Sequence, residues 1–239
     1  MKIKAGTFYG IGVGPGDPEL LTIKAVNAIK EVDVVFTAGH QRSGISMAGK
    51  IAYEYLQGKE VIALPFPHTF DSVSGRSPHR EAAEKIVEAL KRPASVAFLT
   101  IGDPMTFSTF TYVLEAVRDI DPGVPVKVIP GITSFAAAAA ATVTPLAEGE
   151  ESFAVVGAAK TTEKLSKAID AVDNLVIMKP YRHSGEVCDI LDERGLGMHT
   201  WFCVECSRPH ERCYLGLDVA REEGSDKYMS LFIVRKELK

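Results

Sequence analysis

Three stretches of this chain set glycine, proline and small polar residues directly after an apolar run. They are YGIGVGPGDPELLT (Tyr9 to Thr22), FLTIGDPMTFST (Phe98 to Thr109) and VKVIPGITSFAAAAAA (Val126 to Ala141). The first invites comparison with nucleotide-binding loops, and it fails that comparison. A dinucleotide fingerprint needs G-x-G-x-x-G with its last glycine opening the helix. A register starting at Gly10 puts Pro15 in that slot, and one starting at Gly12 puts Asp17 there. Pro15 has no N–H to offer a pyrophosphate, and Asp17 would repel one. No Gly-Lys-Ser/Thr follows, so a Walker loop is excluded as well. What remains is a tight strand-to-helix turn, with or without a ligand.

The other two stretches carry more chemistry. Gly102 and Gly131 permit close approach of backbone, and Asp103 can accept hydrogen bonds from an amine or a hydroxyl. Thr133 and Ser134 put hydroxyls and N–H groups at a helix start, where a carboxylate is favoured. A ligand bearing an amine, a carboxylate and an apolar body suits this set, as S-adenosylmethionine does. The alanine run is equally well explained as a good helix former packed closely on a neighbour.

These loops need a sheet edge to bring them together, and the pattern around them supplies one. Strand-like runs at TFYGIGV, DVVFTA, EVIALPF, SVAFLT and VKVIP alternate with helical segments PELLTIKAVNAIKEV, ISMAGKIAYEYLQ, REAAEKIVEALK and FTYVLEAVRDI. Asp17 is placed to cap the first of these helices, with Pro18 at its first position. That alternation predicts an open, mostly parallel sheet with helices on both faces. In such sheets ligands bind at the carboxyl ends of the strands. The pattern changes after TPLAEGEES. The later strands FAVVGA, NLVIMKP, HTWFCVEC and YMSLFIVRKE, with helices TTEKLSKAIDAV and EVCDILDERG, predict a second, smaller α/β domain with a mixed sheet. The boundary is placed between residues 147 and 148, giving domains 1–147 and 148–239 with a ligand cleft between them.

Composition narrows the function classes. A formal net charge of −4 gives no bulk attraction to nucleic acid or to anionic membrane. No apolar run is long enough to span a bilayer, and the charged start MKIKAGTFYG leads into no signal-peptide core, so cytoplasm is the expected location. Cys203 and Cys206 have C-x-x-C spacing, with His210 and Cys213 nearby. TWFCVEC reads as a strand, however, on which residues three apart face opposite sides, and Val-Glu offers no turn for a zinc knuckle. Free, buried thiols and no protein-bound metal are expected.

GVGPGDPELLT, LTIGDPMTFST and VIPGITSFAAAAA, in this order and at these distances, resemble the tetrapyrrole (corrin/porphyrin) methylases. Within them the chain is most similar to the group acting at C20 of precorrin-2 or cobalt-factor II in cobalamin synthesis. PLAEGEES, NLVIMKP, VECSRPHER and YMSLFIV extend the similarity along the chain. The resemblance implies two domains, a homodimer, and S-adenosylmethionine held between the domains as methyl donor to a tetrapyrrole. It places cofactor contacts at Pro15, Gly102, Asp103, Thr106, Thr133, Ser134, Met178, Ser207 and Ser230. Met178 is equally readable as strand core. Asp103 is the candidate catalytic carboxylate, as base or as cofactor ligand. A polycarboxylate substrate implies cations, for which Arg76, Arg80 and Arg182 are candidates, with His79 and His183 beside them. The pattern departs at Phe107, where the C20 group usually carries tyrosine; the hydrogen bond of that phenol cannot be made here. Two alternatives stay open: another tetrapyrrole methylase, such as a uroporphyrinogen III or later precorrin enzyme, and a non-catalytic tetrapyrrole-binding module.

Overall fold

The computed structural model describes residues 3–39, 46–66, 77–157 and 162–236. Contacts group the chain into two compact units, Met1–Thr133 and Ser134–Lys239. The helix through the alanines therefore falls with the second unit, whereas the sequence pattern set the boundary after residue 147.

The first unit is built on five parallel strands: β1 (Phe8–Gly12), β2 (Val34–Gly39), β3 (Glu60–Pro65), β4 (Val96–Thr100) and β5 (Val126–Ile129). Their order in the sheet is β3-β2-β4-β1-β5. Alternate residues feed opposite faces, as the two-residue period of a strand requires. Tyr9, Ile11, Val35, Ala97 and Leu99 pack with α1 (Ile23–Glu31) and α2 (Met47–Ile51). Phe8, Val34, Phe36, Val96 and Phe98 pack with α3 (Pro78–Leu90) and α4 (Thr109–Ile120). Strands covered on both faces are apolar throughout, which is why β1 and β4 are buried at every residue.

The first helix begins later than its sequence pattern indicates. Asp17 does accept a hydrogen bond, from the Glu19 N–H at 2.8 Å, but it caps only the short 3-10 turn Pro18–Leu20. Leu21 is extended, and Thr22 then caps α1 by accepting from the Ala25 N–H at 3.1 Å. The buried Leu21 side chain interrupts the helix by docking into the core as an extended residue.

The second unit is the smaller one, and its mixed sheet has five strands among the described residues. They are β6 (Phe153–Gly157), β7 (Asn174–Met178), β8 (Thr200–Val204), β9 (Arg212–Leu215) and β10 (Ser230–Arg235), in the order β6-β7-β10-β8-β9. Only β6 and β7 are parallel; β10 runs against both β7 and β8, and β9 runs against β8. One face carries α6 (Thr162–Ala171), α7 (Ser184–Asp192) and α8 (Asp218–Glu223). The other face packs on α5 (Ser134–Ala141), with Ala138 fully buried against Val176, Leu231 and Ile233. Two elements are absent from the sequence reading: β9, whose four residues are exposed at both ends, and the short α8.

Candidate functional site

The strand order puts β4, β1 and β5 side by side, with Gly12 level with Thr100 and Ile11 level with Ile129. Because all three run the same way, the turns after them leave one edge of the sheet together. The first two turns are joined by backbone. The Gly102 N–H donates to the Gly14 carbonyl at 2.7 Å, and the Gly14 N–H donates to the Gly102 carbonyl at 3.4 Å. Both glycines lie in the left-handed region, at φ +78° for Gly14 and +67° for Gly102, where a β-carbon is disfavoured.

Asp103 joins the second turn to the third. Its Oδ2 accepts from the Gly131 N–H at 3.1 Å, and its Oδ1 accepts from the Met105 N–H at 2.8 Å. The Thr106 hydroxyl adds a longer contact to Oδ1 at 3.4 Å. At the far end of the second turn, the Ser108 hydroxyl lies 2.8 Å from that of Thr100 and accepts from the Phe110 N–H, capping α4. The turn from Ile101 to Phe107 is thus pinned at both ends and tied across to its neighbour.

At the centre the three backbones touch. A β-carbon built on Gly131 would lie 2.1 Å from the Gly102 carbonyl oxygen, and one on Gly12 would lie 2.5 Å from the same atom. No space for a phosphate is left among them. Pro15 is buried beside this junction in the chain, Thr106 and Thr133 are half-buried, and Met105 and Phe107 are exposed. Phe107 has φ +50°, a conformation that turns the chain sharply before α4. The sequence signals glycines after strands, but not that Gly12 and Gly131 meet, because their contact depends on which strands are neighbours.

In the second unit, antiparallel pairing sets Leu231 opposite Met178 and Ser230 opposite Val204. The carboxyl ends of β7 and β8 and the amino end of β10 therefore share one end of the sheet. Met178 is half-buried there, with the Ser134 hydroxyl 4.0 Å from its sulfur. The Ser230 hydroxyl donates to the Lys227 carbonyl at 2.6 Å. Ser207, at φ +62°, follows β8 in a turn closed by its N–H donating to Glu211. Each unit thus gathers its own candidates: Pro15, Gly102, Asp103, Thr106 and Thr133 in the first, Ser134, Met178, Ser207 and Ser230 in the second.

The cationic candidates are less uniform. Arg76 lies outside the described residues. Arg80, at the start of α3, forms a half-exposed pair with Glu84 at 3.5 Å. Arg182 stacks over the Tyr181 ring at 5.4 Å, and Tyr181 meets Tyr228 edge-on at 5.1 Å. His79 sits between the rings of Phe66 and Tyr112, at 5.4 and 5.2 Å, and burial holds its pKa below the usual imidazole value.

The cysteines require a correction. Cys203 and Cys206 do not face opposite sides, since both belong to one cluster with Cys213. The strand ends at Val204, and Glu205, at φ +52°, makes the turn that Val-Glu was expected not to provide. All four cysteines are free, and Cys213 is only half-buried. Among the described residues no group of three or more His, Cys, Asp or Glu is placed to hold a metal ion, and no helix is long and apolar enough to cross a membrane.

Known proteins resemble this chain in sequence and in fold. A protein of Methanocaldococcus jannaschii named "Probable cobalt-precorrin-2 C(20)-methyltransferase" is 34% identical, over 95% of each chain. The cobalt-precorrin-2 C(20)-methyltransferase of Salmonella typhimurium is 29% identical, over 97% of each. The crystal structure of uroporphyrin-III C-methyltransferase from Thermus thermophilus, complexed with S-adenosyl homocysteine, superposes with a TM-score of 0.68 at 24% identity. It covers 96% of this chain and 92% of that one. The family model of the tetrapyrrole (corrin/porphyrin) methylases matches residues 7–217, a span that contains both glycine junction and thiol turn. By that match this chain belongs to the tetrapyrrole methylases, a family of S-adenosylmethionine-dependent methyltransferases.

Proposed function

We propose that this protein methylates C20 of precorrin-2, or of its cobalt form, in cobalamin synthesis. The observation that carries the reading is the three-turn junction of Gly14, Gly102, Asp103 and Gly131, in a chain whose near full-length relatives bear C20-methyltransferase names. The junction suits the cofactor's chemistry. Its backbones are packed too closely for a pyrophosphate. Each Asp103 oxygen accepts one backbone N–H and keeps acceptor capacity for an amine or a hydroxyl.

The positions proposed to hold S-adenosylmethionine are Pro15, Gly102, Asp103, Thr106, Thr133, Ser134, Met178, Ser207 and Ser230. When bound, it supplies an electrophilic methyl group on a sulfonium. The protein's task is then to orient two reactants in line at near-attack distance and to keep water out. C20 must afterwards lose a proton, and Asp103 is the carboxylate proposed either to take it or to hold the cofactor's amine. Arg76, Arg80 and Arg182 are proposed partners of the substrate's carboxylates. A homodimer in the cytoplasm, without a resident metal, is the accompanying expectation.

Incubation with methyl-labelled S-adenosylmethionine and precorrin-2, or its cobalt form, tests the reading. Label at C20 is expected. In a parallel incubation with uroporphyrinogen III, label at C2 or C7 would instead make it a uroporphyrinogen-type enzyme. Tight cofactor binding without transfer to either substrate would make it a binding module.

A further inference from the structure

Strands β8 and β9 bring thiols together in a defined way. Their register pairs Trp201 with Leu215, Phe202 with Tyr214, and Cys203 with Cys213. One step beyond this ladder, the Gly216 N–H donates to the Thr200 carbonyl at 2.9 Å, so those two residues form a hydrogen-bonded pair. Hydrogen-bonded and non-hydrogen-bonded pairs alternate along an antiparallel ladder. Phe202 with Tyr214 is the next hydrogen-bonded pair, and Cys203 with Cys213 takes the non-hydrogen-bonded position between ladder bonds. There the Cα atoms lie about 4.5 Å apart and the side chains are closest. That separation falls inside the roughly 4.4–6.8 Å that a disulfide spans.

The surroundings grade the three thiols by access. Cys203 is fully buried and Cys206, returned by the turn at Glu205 and Ser207, is buried beside it. Cys213 is half-buried on β9, the edge strand of the sheet. Hydrogen bonds link the Cys203 thiol to Cys206 and Cys213. The bond from Cys203 favours the thiolate of Cys213, lowering its pKa, while the same bonds and burial push Cys203 up.

We infer that Cys213 and Cys203 form a dithiol that closes to a disulfide on meeting a small-molecule disulfide, with Cys213 as the attacking sulfur. The Cys213 thiolate bonds to one sulfur of the small disulfide and expels the other half as a thiolate. Cys203 then gives up its proton, and its sulfur displaces the second small thiolate from Cys213. Two protein thiols are oxidised by two electrons, the small disulfide is reduced to two thiols, and the two protein protons leave with them. The new bond closes the turn that carries Ser207, so oxidation fixes that segment. The inference rests on β8, β9 and their turn, and it stands whether or not the methylation reading does.

Oxidised glutathione is the probe. The reduced full-length protein is incubated with it under native conditions, free thiols are titrated, and peptides are mapped by mass spectrometry. Two of the four thiols should be lost, with a Cys203–Cys213 peptide pair and no retained glutathione. Cys213→Ser should abolish the loss, and Cys206→Ser should leave it intact. Should Cys213→Ser not fold, the wild-type map and the Cys206→Ser variant decide. Retention of all four thiols until denaturant is added would overturn the inference. So would a lasting glutathione adduct on Cys213, or a bond that joins Cys203 to Cys206.

Discussion

Each unit of this protein opens a parallel strand pair with the same clasp. In the first, the Ser95 N–H and hydroxyl both donate to Asp33 Oδ2 at 2.7 Å, and the Asp33 N–H donates back to the Ser95 hydroxyl at 3.2 Å. In the second, the Ser152 N–H and hydroxyl donate to Asp173 Oδ2 at 2.7 and 2.6 Å, and the Asp173 N–H returns at 3.0 Å. Both clasps stand one residue before paired strands, β2 with β4 and β6 with β7. The settings differ. The first clasp is at the centre of an all-parallel sheet, while the second is at the edge of a sheet whose other pairings are antiparallel. From a common start, the parallel sheet sends every strand's carboxyl end to one edge. Its candidate site is knit mainly from backbone, with the Asp103 carboxylate tying in the third turn. The mixed sheet assembles its candidate end from strand starts and strand ends, and side chains hold its opposite end, where Arg235 pairs with Asn174. Buried Arg235 is the clearest example, donating to the Pro145 carbonyl at 2.6 Å and to Glu148 and Glu151.

Backbone knitting should be the least forgiving. Gly131→Ala forces a β-carbon into the Gly102 carbonyl, which is backbone and cannot swing aside. A loss of about 3 kcal/mol or more is expected, read from the urea midpoint at unchanged slope. An unchanged midpoint would mean that the three turns are looser than this geometry. Asp103→Ala frees the Gly131 and Met105 N–H groups and should weaken S-adenosylmethionine binding by about 2 kcal/mol, with turnover falling too. Wild-type affinity and turnover in that variant would remove Asp103 from the site.

On the side of the mixed sheet, Arg235→Met should cost about 2 kcal/mol by the same denaturation assay. That is less than a fully buried ion pair would lose, because Glu148 is half exposed. The clasps give the smallest and most diagnostic effect. Hydrogen bonds from Ser95 hold the Asp33 carboxyl below its ordinary pKa of 3.8, and those from Ser152 do the same for Asp173. The unfolded chain therefore takes up these protons first as pH falls. The stabilisation is complete above the ordinary carboxylate value and is lost as pH drops through the lower folded-state value. Asp33→Asn and Asp173→Asn should each lower Tm at neutral pH and converge on wild type in acid, with the central Asp33 the larger. Parallel melting curves at all pH values would show that the carboxylate charge plays no part.

Local pattern carried much of the first unit. Its inner strands β1, β2 and β4 are buried on both faces, so each reads as a short apolar run, and glycine follows β1, β4 and β5 closely enough to mark the candidate edge. The second unit was harder to read for physical reasons. Strand β9 has only four residues with exposed ends, too short for a repeating pattern to stand out. Cys206 was assigned to the wrong face because period-two reasoning holds only while the strand lasts, and a left-handed Glu205 ends it. Met178, Ser207 and Ser230 come from a strand end, a turn and a strand start, so no repeating motif joins them. Only family resemblance had pointed to them.

The order of apolar and polar residues alone determined that strands and helices alternate, that the first sheet is parallel, and that three glycine-bearing turns leave its strands. Those features follow from propensity and period within a few neighbouring residues. Tertiary structure decided that Asp103 reaches Gly131, that Gly12, Gly102 and Gly131 touch, and that Cys203 faces Cys213. Each of these is a pairing between distant segments, fixed by strand order and register, which local sequence does not encode.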